Sequence, residues 1–127
     1  MASVVLDASA LLAFVGGEPG ADKVATVIGD SVISAVNFAE AITTLVTRGA
    51  SLAIARDALA VVDLDVIHFD RALAEQTGAL VARTRLHGLS LGDRACLALA
   101  ARERIPALTG DRTWQGLDLP IEVRLFR

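Results

Sequence analysis

Short apolar runs alternate along the chain with longer segments whose apolar residues recur at helical spacing. The first run, Val4-Val5-Leu6, ends at Asp7, and a later one at 107–109 ends before Gly110-Asp111. Short continuous apolar runs bounded by polar residues and glycine are typical of strands that are buried on both faces. The pattern predicts five strands, at 4–6, 31–34, 65–69, 107–109 and 121–126.

The segments between these strands have the character of helices. In the segment 36–48, Phe38, Ile42 and Leu45 fall on one face at a period of 3.6 residues. The segment 93–104 is apolar nearly all round, which indicates a buried helix. The predicted helices lie at 10–15, 20–29, 36–48, 51–62, 70–87 and 93–104.

Alternating strands and helices are the pattern of an α/β fold. Each apolar strand needs cover on both faces, and the helices supply it. We therefore predict one domain over residues 1–127, a three-layer α/β/α sandwich whose central sheet has four to five mainly parallel strands.

Composition narrows the class of protein further. Hydrophobic residues make up 54% of the 127 residues, so disorder is excluded. The longest run without a charged residue is 8–17, about half of a membrane span. The single cysteine excludes an internal disulfide, and we expect a cytoplasmic protein without a membrane segment. The net charge of −3 does not exclude an RNA-binding surface, because all but one of the 12 cations are Arg, which suits phosphate.

Four acidic residues map to one edge of the predicted sheet. Asp7 and Asp111 follow two strands directly, Glu40 lies on the helix after the second strand, and Asp93 opens the buried helix before the fourth. In open α/β sheets, ligands bind beyond the carboxyl ends of the strands. Taken singly, each acid also fits a structural role: a helix cap for Asp7 or Asp93, a solvated helix position for Glu40, a turn for Asp111.

If the four carboxylates converge, the site must hold protons or cations. Two unit charges about 5 Å apart repel by roughly 3 kcal/mol at an effective dielectric of about 20. Oxygen ligands without His or Cys select hard ions such as Mg²⁺ or Mn²⁺. Such ions beside a cleft suit phosphoryl chemistry, since they activate water and stabilise the leaving oxygen.

The sequence around these acids resembles the PIN-domain ribonucleases, and its length resembles the VapC toxins within that family. The resemblance covers essentially the whole chain, and the ordered set of four motifs is more specific than any one of them. The motifs are Val4-Val5-Leu6-Asp7-Ala8-Ser9, Phe38-Ala39-Glu40, Leu89-Ser90-Leu91-Gly92-Asp93 and Leu108-Thr109-Gly110-Asp111-Arg112-Thr113-Trp114.

The resemblance implies an Mg²⁺- or Mn²⁺-dependent endoribonuclease that leaves a 5′-phosphate and a 3′-hydroxyl. Asp7 and Asp93 would be the leading metal ligands, and Asp111 and Glu40 would complete the shell and orient the attacking water. Ser9 and Thr109 stand where the family often has a small polar residue that lines the site, and Asn37 is expected to line it because it shares a helical face with Glu40.

Three further residues have two interpretations each. Arg94 and Arg112 directly follow two of the acids, so they contact RNA phosphates or pair with the acids. Trp114 packs over the sheet edge or stacks on an RNA base.

The resemblance also implies partners. A VapC toxin is held inactive by a cognate VapB-type antitoxin, touches DNA only indirectly through it, and forms a homodimer. The high mean hydropathy of +0.54 also favours a homodimer. The alternatives are a PIN nuclease of RNA processing and a catalytically inactive PIN-like binding module.

Overall fold

The computed structural model describes residues 2–60 and 62–127. Its five strands form one parallel sheet in the order β3-β2-β1-β4-β5. The strands are β1 (Val4–Leu6), β2 (Ser31–Ser34), β3 (Asp65–Ile67), β4 (Ala107–Thr109) and β5 (Val123–Leu125). The chain runs from β1 outward to β3 and then crosses back to β4, so the topological switch point lies between β1 and β4.

Helices cover both faces of this sheet, as the sequence predicts. They are α1 (Ala8–Gly16), α2 (Ala21–Ala25), α3 (Ala35–Thr47), α4 (Leu52–Ala60), α5 (Arg71–Ala79), α6 (Val81–Thr84) and α7 (Leu91–Glu103). Short 3₁₀ turns occupy Ile28–Asp30, Arg85–His87 and Arg112–Gly116.

Alternation along the strands divides the core into two layers. In β1, Val4 and Leu6 pack with the buried residues of α1 to α4, whereas Val5 packs with those of α5 and α7. Successive side chains of a strand point to opposite faces, which is why one apolar run serves both layers. The three-layer α/β/α sandwich is confirmed.

Two predicted helices are interrupted. The helix expected at 20–29 ends at Ala25, and the helix expected at 70–87 divides into α5, α6 and a 3₁₀ turn. Thr84 donates from its hydroxyl to the Leu80 carbonyl over 2.8 Å, and Gly88 ends the segment at φ +61°. The Leu80 carbonyl thus accepts from the Thr84 hydroxyl as well as from the Thr84 N–H, which is 3.1 Å away, a pattern that bends helices.

Other predicted boundaries move by a few residues. The third and fifth strands are shorter than predicted, and His68 lies beyond β3 in an exposed position. The helix predicted at 51–62 ends at Ala60, and Val61 lies outside the described residues. Across residues 2–60 and 62–127, no helix combines the length and apolar character that a membrane crossing needs.

Candidate metal-dependent active site

Asp7 is the most buried of the four acids and lies where β1 passes into α1. Its side chain is 7% exposed and caps α1, with Oδ1 accepting from the Ala10 N–H over 3.0 Å. Two hydroxyls also donate to it at 2.6 Å: Ser9 Oγ to Oδ1, and Thr109 Oγ1 to Oδ2. Asp7 is therefore both the helix cap and the centre of a polar network.

The same hydroxyls connect Asp7 to the end of β4. Ser9 Oγ accepts from the Gly110 N–H, and Thr109 Oγ1 accepts from the Asp111 N–H, each over 3.0 Å. The two strands that flank the switch point, β1 and β4, are thus connected through the Asp7 carboxylate. Ser9 lines the cavity as predicted, but Thr109 is fully buried beneath it and serves as a support.

Glu40 is held by Asn37, which lies one turn earlier on α3. Asn37 Nδ2 donates to Glu40 Oε1 and to the Gly92 carbonyl, both over 2.9 Å. This buried amide therefore joins the second acid of the site to the first turn of α7. Gly92 makes the arrangement possible, because a Cβ at this position would overlap the Glu40 carboxylate.

Asp93 lies in the first turn of α7, and Ser90 is the N-cap. Ser90 Oγ accepts from the Asp93 N–H over 3.1 Å, and Asp93 Oδ2 accepts from the Ser90 N–H over 2.9 Å. This reciprocal pair is a capping box. The sequence predicts that Asp93 opens the helix. In the structure the helix begins two residues earlier, at Leu91, and Asp93 is its third residue.

Asp111 stands at the exposed rim of the site. It caps the 3₁₀ turn at Arg112–Gly116, where Oδ1 accepts from the backbone N–H and the hydroxyl of Thr113 at 3.0 and 2.7 Å. Both of these bonds are to Oδ1, and the second carboxylate oxygen, Oδ2, takes part in neither.

One cavity of about 280 Å³ brings the four acids together at the carboxyl end of the sheet. Asn37, Ser9 and the backbone of Gly110 complete much of its wall, together with Arg127, which the sequence analysis does not identify. The complete lining is Asp7, Ala8, Ser9, Asn37, Glu40, Asp93, Gly110, Asp111 and Arg127.

The acids influence one another electrostatically. Burial raises the pKa of Asp7, the hydroxyls of Ser9 and Thr109 oppose that rise, and the charge of Asp93 adds to it. Burial also raises the pKa of Glu40, with the charges of Asp93 and Asp7 acting in the same direction. Desolvation is thus the main cause, and repulsion between the carboxylates reinforces it.

Cys96 lies in the core on the inner side of this cluster. It is fully buried on α7, and burial together with the charges of Asp7, Asp93 and Glu40 raises the pKa of its thiol. The thiol therefore stays protonated, and Cys96 acts as a core residue.

The donor set fits a hard divalent cation. Within the described part of the chain, no three Asp, Glu, His or Cys side chains are grouped closely enough to hold a metal ion as they stand. The hydrogen bonds of Asp7, Glu40 and Asp93 hold these carboxylates in place around the cavity. Four of the side chains that line it are carboxylates, and Asn37 Oδ1, also in the lining, is buried without a hydrogen-bond partner. An ion of the Mg²⁺ type would take such oxygens directly or through water.

The three residues predicted to contact RNA have different surroundings. Trp114 is 1% exposed and packs in the core layer of α7, so the packing interpretation is correct and base stacking is not. Arg94 Nη1 donates to the Thr77 carbonyl over 2.8 Å, which commits this side chain to the contact between α7 and α5. Arg112 is exposed on the 3₁₀ turn and does not line the cavity.

Comparison with known proteins places this geometry in a family. Residues 4–118 match the PIN domain. A comparison with curated protein sequences finds no match.

Solved structures give the same fold at low sequence identity. VapBC2 from Rickettsia felis, bound to a promoter DNA fragment, superimposes with a TM-score of 0.75 at 15% identity, covering 96% of this chain and 97% of that one. A toxin–antitoxin complex from Klebsiella pneumoniae gives 0.70 at 22% identity, covering 94% and 99%. VapC20 of Mycobacterium tuberculosis, a toxin that cleaves the sarcin–ricin loop, gives 0.71 at 21% identity, covering 91% and 96%. The match over residues 4–118, with a parallel sheet and an acidic cavity at its carboxyl edge, shows that the chain belongs to the PIN domain family.

Proposed function

We propose that the chain is a metal-dependent endoribonuclease that hydrolyses RNA phosphodiester bonds. The observation that carries the proposal is the single cavity lined by Asp7, Glu40, Asp93 and Asp111 at the switch point of the sheet. Membership of the PIN domain family, which includes nucleases, supports it.

Each acid has a role that follows from its surroundings. Asp7 and Asp93, placed by two helix N-termini, would hold Mg²⁺ or Mn²⁺. Glu40, fixed by Asn37, and Asp111, at the exposed rim, would complete the ligand shell and orient the attacking water. The bound ion would supply Lewis-acid activation of that water and stabilise charge on the phosphate.

The reaction balances as a simple hydrolysis. The water oxygen bonds to phosphorus, the bond from phosphorus to O3′ breaks, and the water proton ends on O3′. One fragment then carries a 5′-phosphate and the other a 3′-hydroxyl. The buried position of Asp7 keeps bulk water from its oxygens, which strengthens their interaction with a cation.

Cleavage of a single-stranded RNA by the purified chain tests this function. We expect cleavage with Mg²⁺ or Mn²⁺, none with chelator, and none by the Asp7→Asn variant. Asp57→Asn, which changes an exposed acid on α4, is the matched control and should cleave as the unmodified chain does. Equal cleavage by the Asp7→Asn and Asp57→Asn variants contradicts the assignment.

We further propose that the enzyme is the toxin of a toxin–antitoxin pair and acts in the cytoplasm. The solved structures that it resembles include toxin–antitoxin complexes that match over nearly their whole toxin chain. A VapB-type antitoxin would be its partner, and an Arg of that antitoxin would fit the paired carboxylates of the cavity. DNA would be contacted only through the antitoxin.

Expression in bacteria separates the toxin role from RNA processing and from an inactive binding module. Expression of the chain alone should arrest growth, and expression of the Asp7→Asn form should not. Co-expression of a small antitoxin gene that neighbours the gene for this chain should restore growth. Harmless expression of an enzyme that cleaves RNA in vitro would favour RNA processing.

The chain is also proposed to form a homodimer through the helices of its first half. Large apolar side chains are exposed there on α3 and α4: Val46, Leu52 and Ile54. Exposed apolar side chains concentrated on neighbouring helices mark surfaces that a partner covers. Light scattering at micromolar concentration should give twice the mass of one chain, and a monomer would contradict the proposal.

A further inference from the structure

Arg127 lies at the acidic cavity although nothing in the sequence around it indicates a site. It lines the same cavity as the four carboxylates, beside Gly110. Among the residues that the structure describes, it is the one cation in the lining of that cavity, and the proposed chemistry leaves it without a role.

The sheet places this residue by register. Thr109 of β4 pairs with Leu125 of β5, and the Phe126 N–H continues the ladder by donating to the Thr109 carbonyl over 3.3 Å. Continuing this register, Phe126 is level with Gly110, and Arg127 is level with Asp111. Both pairs are at the carboxyl edge of the sheet, where the acids lie.

Phe126 anchors the segment. Its ring is fully buried, and its backbone passes so close to Gly20 that a Cβ there would overlap it. Gly20 has φ +89°, a conformation that side-chain-bearing residues rarely adopt. The absence of a side chain at Gly20 thus leaves the room in which Phe126 lies, and Phe126 in turn sets the position of Arg127 at the cavity.

The guanidinium of Arg127 is oriented by three contacts. It lies over the Phe126 ring at 5.0 Å from the ring centre, and Nη1 is 3.7 Å from Glu18 Oε1, longer than a hydrogen bond. A Cβ built at Gly110 would be 2.8 Å from Nε, so the glycine leaves the space that the guanidinium occupies. Stacking on Phe126, packing against Gly110 and the ion pair with Glu18 together hold the guanidinium at the cavity.

We propose that Arg127 is an RNA-binding residue of this site and takes a phosphate next to the one that is cut. This inference rests on the proposed nuclease function. Asp7, Glu40 and Asp111 stand after β1, β2 and β4, Asp93 stands in the first turn of α7, and Arg127 stands after β5, the strand at the sheet edge beside β4. An RNA strand whose reactive phosphate meets the acids therefore presents a neighbouring phosphate to the cation, which binds it with a forked pair of N–H donors.

The test is RNA binding by Arg127→Ala in an Asp7→Asn background, which keeps the RNA intact. The probe is a short fluorescein-labelled single-stranded RNA, followed by fluorescence anisotropy in Mg²⁺ at several salt concentrations. We expect about tenfold weaker binding, since one charge-assisted contact is lost. The slope of log affinity against log salt should fall by about 0.7, the value for one phosphate on a single strand.

Two variants make the result specific. Arg124→Ala removes an exposed Arg of β5 that pairs with Glu122 outside the cavity, and it should bind as the background does. Arg127→Lys keeps the charge but loses the fork and should bind with intermediate affinity. In the otherwise unmodified chain, the loss on Arg127→Ala should fall on KM, because a contact to a neighbouring phosphate acts equally in the ground and transition states.

The outcomes distinguish this inference from the proposed function. Unchanged affinity and salt slope for Arg127→Ala overturn the inference, even where the chain cleaves RNA. Faster cleavage by Arg127→Ala also overturns it, because Arg127 would then block the acids. Weaker RNA binding by Arg127→Ala in a chain that cleaves no RNA contradicts the nuclease function and the placement beside a cut phosphate, and it leaves Arg127 as an RNA-binding residue only. No RNA binding by the unmodified chain overturns both proposals.

Discussion

The Thr109 hydroxyl donates to Oδ2 of Asp7 over 2.6 Å, so the last residue of β4 holds the carboxylate that follows β1. The two residues are 102 positions apart in sequence, and both are almost completely buried. The same hydroxyl oxygen accepts from the Asp111 N–H, which fixes the start of the neighbouring acidic turn. Thr109 therefore fixes the Asp7 carboxylate and the Asp111 backbone relative to each other, although these two candidate metal ligands are far apart in the sequence.

The four acids are expected to differ in their effect on cleavage. Asp93→Asn should abolish it as Asp7→Asn does, because each removes a leading ligand charge. An amide oxygen at either position can still accept the backbone N–H bond that the carboxylate accepts, from Ala10 at position 7 and from Ser90 at position 93. Glu40→Gln and Asp111→Asn should reduce the rate less completely. Initial rates on one RNA measure the order, and Asp57→Asn is the exposed control. An Asp93→Asn variant with full activity contradicts the ligand assignment.

Gly92→Ala is expected to damage the site without damaging the fold. The added Cβ would overlap the Glu40 carboxylate and force it away from Asn37, so cleavage should slow by at least tenfold. Helix propensity favours the change by about 0.5–1 kcal/mol, which limits any loss of Tm.

Gly78→Ala is the matched control for this substitution. Gly78 is also helical, on α5, and nothing lies within 4 Å of a Cβ built there. It should raise Tm slightly and leave cleavage unchanged. Equal rates for the two alanine variants would show that the position of Glu40 is not required.

The fate of the four acids shows what a sequence of this kind can predict. Asp7 and Asp111 follow apolar runs directly, and parallel strands bring their carboxyl ends to one edge, so convergence follows from the order of elements. The hydrogen bonds that hold the acids in place cannot be predicted from that order. Asn37 is predicted to line the site, but its bond to the Gly92 carbonyl depends on how α3 meets α7.

Arg127 could not be found by the same reasoning. Its place depends on the register of β5 against β4 and on the packing of Phe126 against Gly20, and both are long-range contacts. The predicted strand at 121–126 is longer than the observed β5, so even its end is set by tertiary structure. Charge alone does not separate Arg127 from Arg112, which lies outside the cavity lining.

Divalent metal is expected to stabilise the native chain. The carboxylates around the cavity repel one another, and a cation that binds only the folded state stabilises it by mass action. At a concentration one hundred times the dissociation constant, the gain is about 2.7 kcal/mol. Differential scanning fluorimetry with Mg²⁺, Mn²⁺ and chelator measures the shift in Tm. The Asp7→Asn variant should show a smaller shift, and an equal Tm in metal and chelator, with no binding by calorimetry, would contradict a metal site.

The pH dependence of stability should change sign between the metal-free and metal-bound states. In chelator, folding raises the pKa of Asp7 above 3.8 and that of Glu40 above 4.5, so the native state holds more protons than the unfolded state. Stability must then fall as pH rises from those values through the raised pKa values of the folded state. Asp70, whose pKa is lowered mainly by the Leu73 N–H, acts in the opposite direction below 3.8 and does not mask the effect.

Asp7→Asn removes the larger buried charge and should flatten this slope. In chelator, the variant should gain stability relative to the unmodified chain as pH rises above 3.8 and through the raised pKa of Asp7, because the cost of ionising a buried carboxyl disappears. With saturating Mg²⁺, the unmodified chain should instead become more stable as pH rises, since ligands must lose their protons to bind. Urea titrations at each pH, with and without metal and with Asp57→Asn as control, measure both slopes. Parallel pH profiles for Asp7→Asn and Asp57→Asn in chelator would show that ionising the Asp7 carboxyl costs no stability. The proposal that a bound metal relieves this cost would then be wrong.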